Sequence, residues 1–450
     1  MSRRRRWGLL AAMGAVAAVL SVLPAGAPAR ATAGDDAQGT PTTTPIKHFI
    51  YLMQENHSFD NYFGTYPGVD GLPKDACVPV RVEDSHGPCV RPFWVGGGSI
   101  TDLAHTRAVF REQFRGGAND GFVQAFGDDG EPRYQVMGYY DGRDLPYYWN
   151  VADQYVLFDR FFTSAAAGSA RNHVFWVAAA AGYERDTVPP EGFSNLPMIF
   201  DRLEKQHISW KFYVQDYNPK LTYRTFPKAA QVVWVPLLAT PRYLDDPRLF
   251  GKIAPIEEYY DDLEKGTLPS VVYIAPGTAS EHPPGTPAAG QRFVRSLHTA
   301  LMHSTAWSSS AFLWTWDDWG GWYDHVVPPQ VDEYGYGYRA PALLVSPYAK
   351  KGYVDSTTLD FTSGLKFIEE NWRVAPLSSR DRAAANILGA FDFSAPPREP
   401  VLLADDRSAR VEAPSPKRVI YLAYGLAICT PVVLVGLLRA RRKRRPRDLP

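Results

Sequence analysis

The sequence predicts an α/β fold built on a mostly parallel sheet with helices on both faces. Three observations carry that expectation. Short apolar runs that read as buried strands alternate with helix-length amphipathic segments, the pattern of strand–helix units around a covered sheet. Two of those runs, Phe49–Met53 and Ala311–Trp316, lead directly into acid-rich segments, Glu55-Asn56-His57-Ser58-Phe59-Asp60 and Asp317-Asp318-Trp319-Gly320-Gly321-Trp322-Tyr323-Asp324-His325. The chain has 450 residues, enough for one large α/β domain or two ordinary ones. Ligands of open α/β sheets collect beyond the carboxyl ends of strands. Two acidic segments delivered to one such edge make a site for a hard cation, so the sequence reads as a metal-dependent enzyme.

The termini are set aside first. Residues 1–33 have an arginine-rich start, an apolar stretch and small residues at Ala31-Thr32-Ala33, the layout of a cleaved signal peptide. Residues 34–45 form a Thr/Pro/Gly-rich flexible leader. At the other end, Val419–Leu438 carries no charge over a length that crosses a bilayer as a helix. The following tail, 439–450, holds seven basic residues, which places it in the cytoplasm. The expected layout is therefore a catalytic domain over 46–394, a stalk over 395–418, a transmembrane helix over 419–438 and a cytoplasmic tail. The catalytic domain then lies outside the cell, held at the membrane by a single pass. Without residues 1–30 and the tail, 36 basic face 47 acidic side chains, a net charge of −11. That excess argues against nucleic-acid partners held through phosphates. Cys77 and Cys89 read as a disulfide in an oxidising compartment.

Within the domain, strands are expected at Phe49–Met53, Trp210–Val214, Val271–Ala275, Phe312–Trp316 and Ala342–Val345. A helix from an Asn195 cap to Lys205 has Pro197 in its first turn. Ala288–Met302 places Phe293, Leu297 and Leu301 on one face. Phe361–Trp372 does the same with Leu365, Ile368 and Trp372, and Asp360 is available as its cap.

The chemistry-bearing residues fall mostly at strand ends and helix starts. Glu55, Asn56, Asp317 and Asp318 offer oxygen ligands only, which suits Ca²⁺, Mg²⁺ or Mn²⁺ better than a closed zinc site. Gly320-Gly321 lets backbone pack close to a ligand. Ser169 stands at the start of an Ala-rich helix, either as its N-cap or as a nucleophile favoured by the helix dipole and free N–H groups. His105, His173, His282 and His325 lie in polar contexts suited to proton transfer, with Asp324 beside His325. Arg339 reads equally as a phosphate ligand or as a structural ion-pair partner.

Four segments resemble, in order, the motifs of a phosphoesterase family that includes bacterial and plant non-specific phospholipases C and secreted acid phosphatases. ENHSFDNYFG (Glu55–Gly64) is similar to ENRSFDHxxG. SARNH (Ser169–His173) stands where that family has TxPNR. DDWGGWYDHV (Asp317–Val326) resembles DExxGxxDHV, and GYRAPALLVSP (Gly337–Pro347) resembles GxRVPxxxxSP. Sulfatases match less well, because Ser169 is not followed by x-P-x-R. The resemblance spans about Ile46 to Pro376. It implies an alkaline-phosphatase-like α/β/α sandwich, metal ligation by Glu55, Asn56, Asp317 and Asp318, and Ser169 as nucleophile. His105, Asp120, His282, Asp324 and His325 are implied as further active-site residues. Asp318 in place of Glu, and Arg171 and His173 in place of Pro and Arg, are departures.

The expected function is an extracellular, membrane-anchored, metal-dependent phosphoester hydrolase with a serine nucleophile, of acid phosphatase or phospholipase C type. Asn172 would stabilise transition-state oxygens, and His282 or His325 would protonate the leaving group. Ser169 and the lost Pro-Asn-Arg sequence lean toward phosphomonoesters, while the aromatic content and the anchor allow phospholipid. His173 is expected to give the pocket a pH-dependent charge. The alternative is a non-catalytic surface binding protein that retains the fold.

Overall fold

The computed structural model describes residues 41–407, except 85, 97–99, 128–131 and 183–186. The expected signal peptide, transmembrane segment and basic tail lie outside the described residues. Among the described residues, no helix is long and apolar enough to cross a membrane.

The core is one eight-stranded sheet. In chain order its strands are β1 (His48–Gln54), β2 (Val156–Phe158), β3 (Trp210–Val214), β4 (Ile253–Pro255), β5 (Val271–Ala275), β6 (Ser310–Trp316), β7 (Ala342–Val345) and β8 (Tyr353–Asp355). Their spatial order is β8-β2-β7-β6-β1-β5-β3-β4. All are mutually parallel except β7, which runs against β6 and β2. The five expected strands are present. The three that the sequence did not announce, β2, β4 and β8, are only three residues long.

The central strands are apolar at nearly every position because both faces are covered. On one face, Tyr51 packs edge-on against Trp176 of α2 (Ser169–Ala178) and Phe49 packs against Phe367 of α5 (Phe361–Trp372), while Tyr273 meets Phe200 of α3 (Ile199–Lys205). On the other, Tyr148 of α1 (Pro146–Gln154) packs on Trp314 and Trp316, and His298 of α4 (Pro287–His303) packs on Phe312 and Trp314. Removing one such ring, as in Trp314→Ala, costs about 3–5 kcal/mol in a core of this kind.

The helix starts follow local chemistry. Pro287 opens α4 and Thr286 Oγ1 accepts from the Ala289 N–H at 3.3 Å. Asp360 caps α5, its own N–H donating to Ser363 Oγ at 3.1 Å. α3 begins at Ile199, later than an Asn195 cap would place it, because the Asp201 carboxylate takes the Met198 N–H at 2.8 Å and closes the first turn there. Cys77 and Cys89 form a disulfide.

The first residues of the expected stalk contact the domain. Arg398 donates from its N–H to Pro347 O at 3.0 Å and from its guanidinium to Ala349 O at 2.8 Å. Arg407 pairs with Asp153 at 3.1 Å and lies over the Trp149 ring. The Pro-rich composition reads as linker, but two arginines tie the segment to the domain.

Candidate active site

Pairing register builds the site. β1 and β6 are adjacent and parallel, with Gln54 opposite Trp316, so Glu55-Asn56 and Asp317-Asp318 leave the sheet side by side. The Asp317 N–H donates to Gln54 O at 3.0 Å, and the Asn56 N–H donates to Asp317 Oδ1 at 3.1 Å. Gly320, at φ +60°, passes so close that a Cβ would lie 2.1 Å from Asn56 O. All four expected ligands are buried.

Ser169 is the first residue of α2, and the cap is Gly168, which offers no side chain. The serine hydroxyl is thus released from capping and donates to Asp318 Oδ2 at 3.3 Å. Four residues on, and so on the same helix face, His173 sets Nε2 2.7 Å from Glu55 Oε1 and 3.8 Å from Asp317 Oδ2. His173 was not among the expected ligands, although its i, i+4 spacing from Ser169 is visible in the sequence. Burial holds its pKa down to about 3, so the imidazole stays neutral and the expected pH-dependent pocket charge does not arise from it.

The donor set fits a divalent cation. Burial, then the neighbouring Asp317 and Asp318 carboxylates, pushes Glu55 well above the usual carboxylate range, and burial and Asp318 raise Asp317 to about 8. Glu55 Oε2 and Asp317 Oδ2 are buried and make no hydrogen bond of good geometry. The Asn56 amide adds a sharper test. With its oxygen turned inward, that oxygen lies 3.1 and 3.2 Å from Asp317 Oδ1 and Asp318 Oδ1, and its nitrogen lies 3.1 Å from His282 Nε2. The reversed amide would satisfy the carboxylates but needs His282 to donate from Nε2. His282 Nδ1 donates to Pro283 O at 2.8 Å. In the inward orientation three oxygens converge, an arrangement that a cation would reconcile.

His105 joins the same cluster. Its Nδ1 donates to Leu103 O at 2.7 Å, which turns Nε2 toward Asp318 Oδ2, 3.9 Å away. The His105 and His282 rings meet edge-to-face at 5.8 Å, and Asp102 lies 3.9 Å from each. Glu281, next to His282, is buried and accepts from Tyr62, Tyr148 and Trp316 at 2.5, 2.6 and 2.9 Å. Neither Asp102 nor Glu281 carries a motif signal, and each is found only through its contacts.

Five expected residues make contacts away from the Ser169 cluster. His325 bonds Asp60 at 2.6 Å and Asp70 at 3.2 Å, and Asp324 accepts from Arg339 at 2.9 Å. Arg339 also reaches Asp60 at 3.0 Å, so it is the buried cation of a structural network and not a free phosphate ligand. The Asn172 amide is committed to the loop before α2, accepting from Ala165 N–H at 3.0 Å and donating to Ala167 O at 2.9 Å. These bonds order the turn that presents Ser169. Asp120 pairs with Arg115 at 2.8 Å.

Two cavities meet at Ser169. One, of about 650 Å³, is lined by His105, Val188, Pro227, Lys228 and Val233. The second, of about 440 Å³, is lined by Glu55, Val233, Trp234, His282 and Pro283. Ser169 and Val233 belong to both walls.

Comparison with known proteins agrees with this chemistry. The chain is 27% identical over 427 residues to phospholipase C B of Mycobacterium tuberculosis, covering 79% of each. It is 28% identical over 348 residues to non-specific phospholipase C1 of Arabidopsis thaliana, covering 69% of this chain and 62% of that one. The crystal structure of the phosphonate monoester hydrolase of Agrobacterium radiobacter aligns over 73% of this chain and 74% of its own at 9% identity and a TM-score of 0.38, a likeness too distant to inform the site. The profile of the Phosphoesterase family matches residues 46–375, most of the chain. The chain belongs to that family.

Proposed function

We propose that this protein is a divalent-cation-dependent phosphodiesterase of phospholipase C type in which Ser169 is the nucleophile. The alkaline-phosphatase-like character of the α/β/α fold is part of the same reading. The observation that carries it is the position of Ser169, uncapped, hydrogen-bonded to Asp318 and set in the wall common to two cavities, each with its own histidine. A diester has two arms to accommodate and a monoester only one. The cavities, together with relatives named as phospholipases C, move the reading away from the phosphomonoester lean of the sequence.

Glu55, Asn56, Asp317 and Asp318 would hold the cation, which supplies charge neutralisation for phosphoryl oxygens and eases ionisation of the serine hydroxyl. The chain's own residues do the rest. Asp318 Oδ2 takes the serine hydrogen bond and orients Oγ. The dipole at the start of α2, where Ser169 stands, favours anionic oxygen. The serine proton passes to Asp318 Oδ2 as Oγ bonds to phosphorus and the ester bond to the leaving arm breaks. The departing alkoxide takes a proton from Nε2 of the histidine in its cavity, His105 or His282, which for this step carries a proton on each ring nitrogen, Nδ1 being held by Leu103 O or Pro283 O. Water, giving a proton back to that histidine, then breaks the Oγ–phosphorus bond, and Oγ recovers its proton from Asp318. Positioning and charge stabilisation dominate such transfers.

We further propose that the domain is extracellular and anchored through Val419–Leu438, a reading supported by the disulfide and by the basic tail. The deciding assay compares kcat/KM for a phosphatidylcholine diester and an aryl phosphomonoester on one preparation, before and after dialysis against a chelator. Diester preference that vanishes with the cation supports the proposal. A monoester preference above about a hundredfold, ~2.7 kcal/mol of transition-state binding, or full activity without metal, overturns it.

A further inference from the structure

The hydroxyl of Ser169 and the imidazole of His173 project from one face of α2 toward the same carboxylates. His173, Glu55 and Asp317 form a group whose potential ligand atoms, one from each residue, lie within 4.8 Å of one another. Two of their separations are 2.7 and 3.8 Å. These bracket the ligand–ligand edges of about 3.0–3.5 Å expected around a cation with bonds near ~2.1 Å. All three side chains are fully buried, so none can turn to water for satisfaction. Glu55 Oε2, Asp317 Oδ2 and His173 Nδ1 make no hydrogen bond of good geometry, with Ser169 and Trp234 near enough to interact with these groups, although buried polar groups are ordinarily well paired. A hydrogen bond from His173 to Glu55 alone would account for one contact and leave the two carboxylates under-satisfied.

We infer that His173 is a nitrogen ligand of the cation centre, which makes the centre a mixed nitrogen–oxygen site and not the all-oxygen site that the strand-end acids suggest. The inference rests on the cation-dependent reading above and deepens it. Its chemical consequence is selectivity. Imidazole suits borderline metals such as Zn²⁺, whereas Ca²⁺ takes oxygen ligands and Mn²⁺ leans to oxygen while still accepting a nitrogen. The centre should therefore hold Zn²⁺ against a large excess of Ca²⁺, with Mn²⁺ serving as the spectroscopic probe. His173 occupies the place where the motif TxPNR has Arg, so the replacement exchanges a fixed positive charge for a ligand.

The test uses the detergent-solubilised full chain, stripped with a chelator and reloaded with Mn²⁺. Metal uptake is measured by equilibrium dialysis, and nitrogen coupling to the manganese by electron spin echo spectroscopy. Wild type should take up the ion and show a coupling of directly bound imidazole. His173→Gln should lose that coupling and bind Mn²⁺ at least tenfold more weakly, with little change for Ca²⁺. A coupling that survives in His173→Gln, or that is missing from metal-loaded wild type, overturns the assignment while leaving the functional proposal standing. No stoichiometric uptake of any divalent ion by wild type overturns both. Should His173→Gln fail to fold, His105→Gln/His282→Gln replaces it. That double variant keeps the coupling if His173 is the ligand, and its loss there overturns the inference.

Discussion

Ser169 is freed by its neighbour. Because Gly168 supplies the cap position and no side chain, the serine hydroxyl is not spent on the helix and turns to Asp318. Ser169→Ala should therefore fold normally and keep its metal, while turnover falls at least a thousandfold, ~4 kcal/mol of lost transition-state stabilisation. Steady-state rates with a denaturation control check this, and near-normal turnover would mean that water attacks directly. A second prediction concerns Glu281, whose burial raises its pKa from 4.5 to about 7 despite three donors. A carboxyl that is harder to ionise when folded stabilises the protein fully below its unfolded pKa. That stabilisation is lost as pH rises from about 4.5 to about 7, by ~3 kcal/mol in all. Urea midpoints across that window should decline in wild type, and Glu281→Gln should flatten the Glu281 share of the decline. Parallel curves would show that Glu281 titrates normally.

At the level of elements, α4 and the loop bearing His282 are locked by a missing side chain. A Cβ on Gly290 would lie 1.8 Å from Glu281 Oε1, and that carboxylate is held by three hydrogen bonds and cannot swing aside. Gly→Ala inside a helix ordinarily gains about 1 kcal/mol. Here Gly290→Ala should reverse the sign and destabilise by about 1–3 kcal/mol, with turnover reduced roughly tenfold as His282 is displaced. Denaturant unfolding and kcat, measured together, read both effects, and a stabilised, fully active variant would refute the coupling. The same scale explains what the sequence made legible. β1, β3, β5, β6 and β7 announce themselves as apolar runs because strands covered on both faces need no alternation. β2, β4 and β8 are too short to show a pattern, and pairing with neighbours distant in sequence defines them. Strand ends delivered Glu55, Asn56, Asp317 and Asp318 to one place for the same reason, since adjacent parallel strands in register share an edge. His325 and Asp324 looked equally suited to the site by proximity along the chain. Their partners, Asp60 and Arg339, arrive from other segments, and no local pattern foretells where such a network closes.

For the whole molecule, contacts with the domain run as far as Arg407. Protease applied to intact cells should release the domain by cutting C-terminal to Arg407, because cuts between residues 395 and 407 must first detach Arg398 and Arg407 from Ala349 and Asp153. Mass measurement of the released fragment decides this, and a major product ending before Arg398 would show that the docking does not hold in solution. With Val419–Leu438 as the proposed anchor, only residues 408–418 separate the fixed point at Arg407 from the bilayer. Fully stretched, a chain gains at most about 3.5 Å per residue, so that leash is ~40 Å long at its limit. On the proposed anchoring, the enzyme would be confined to a thin layer over its own membrane, where lipids of that surface and soluble esters diffusing into the layer would be its accessible substrates.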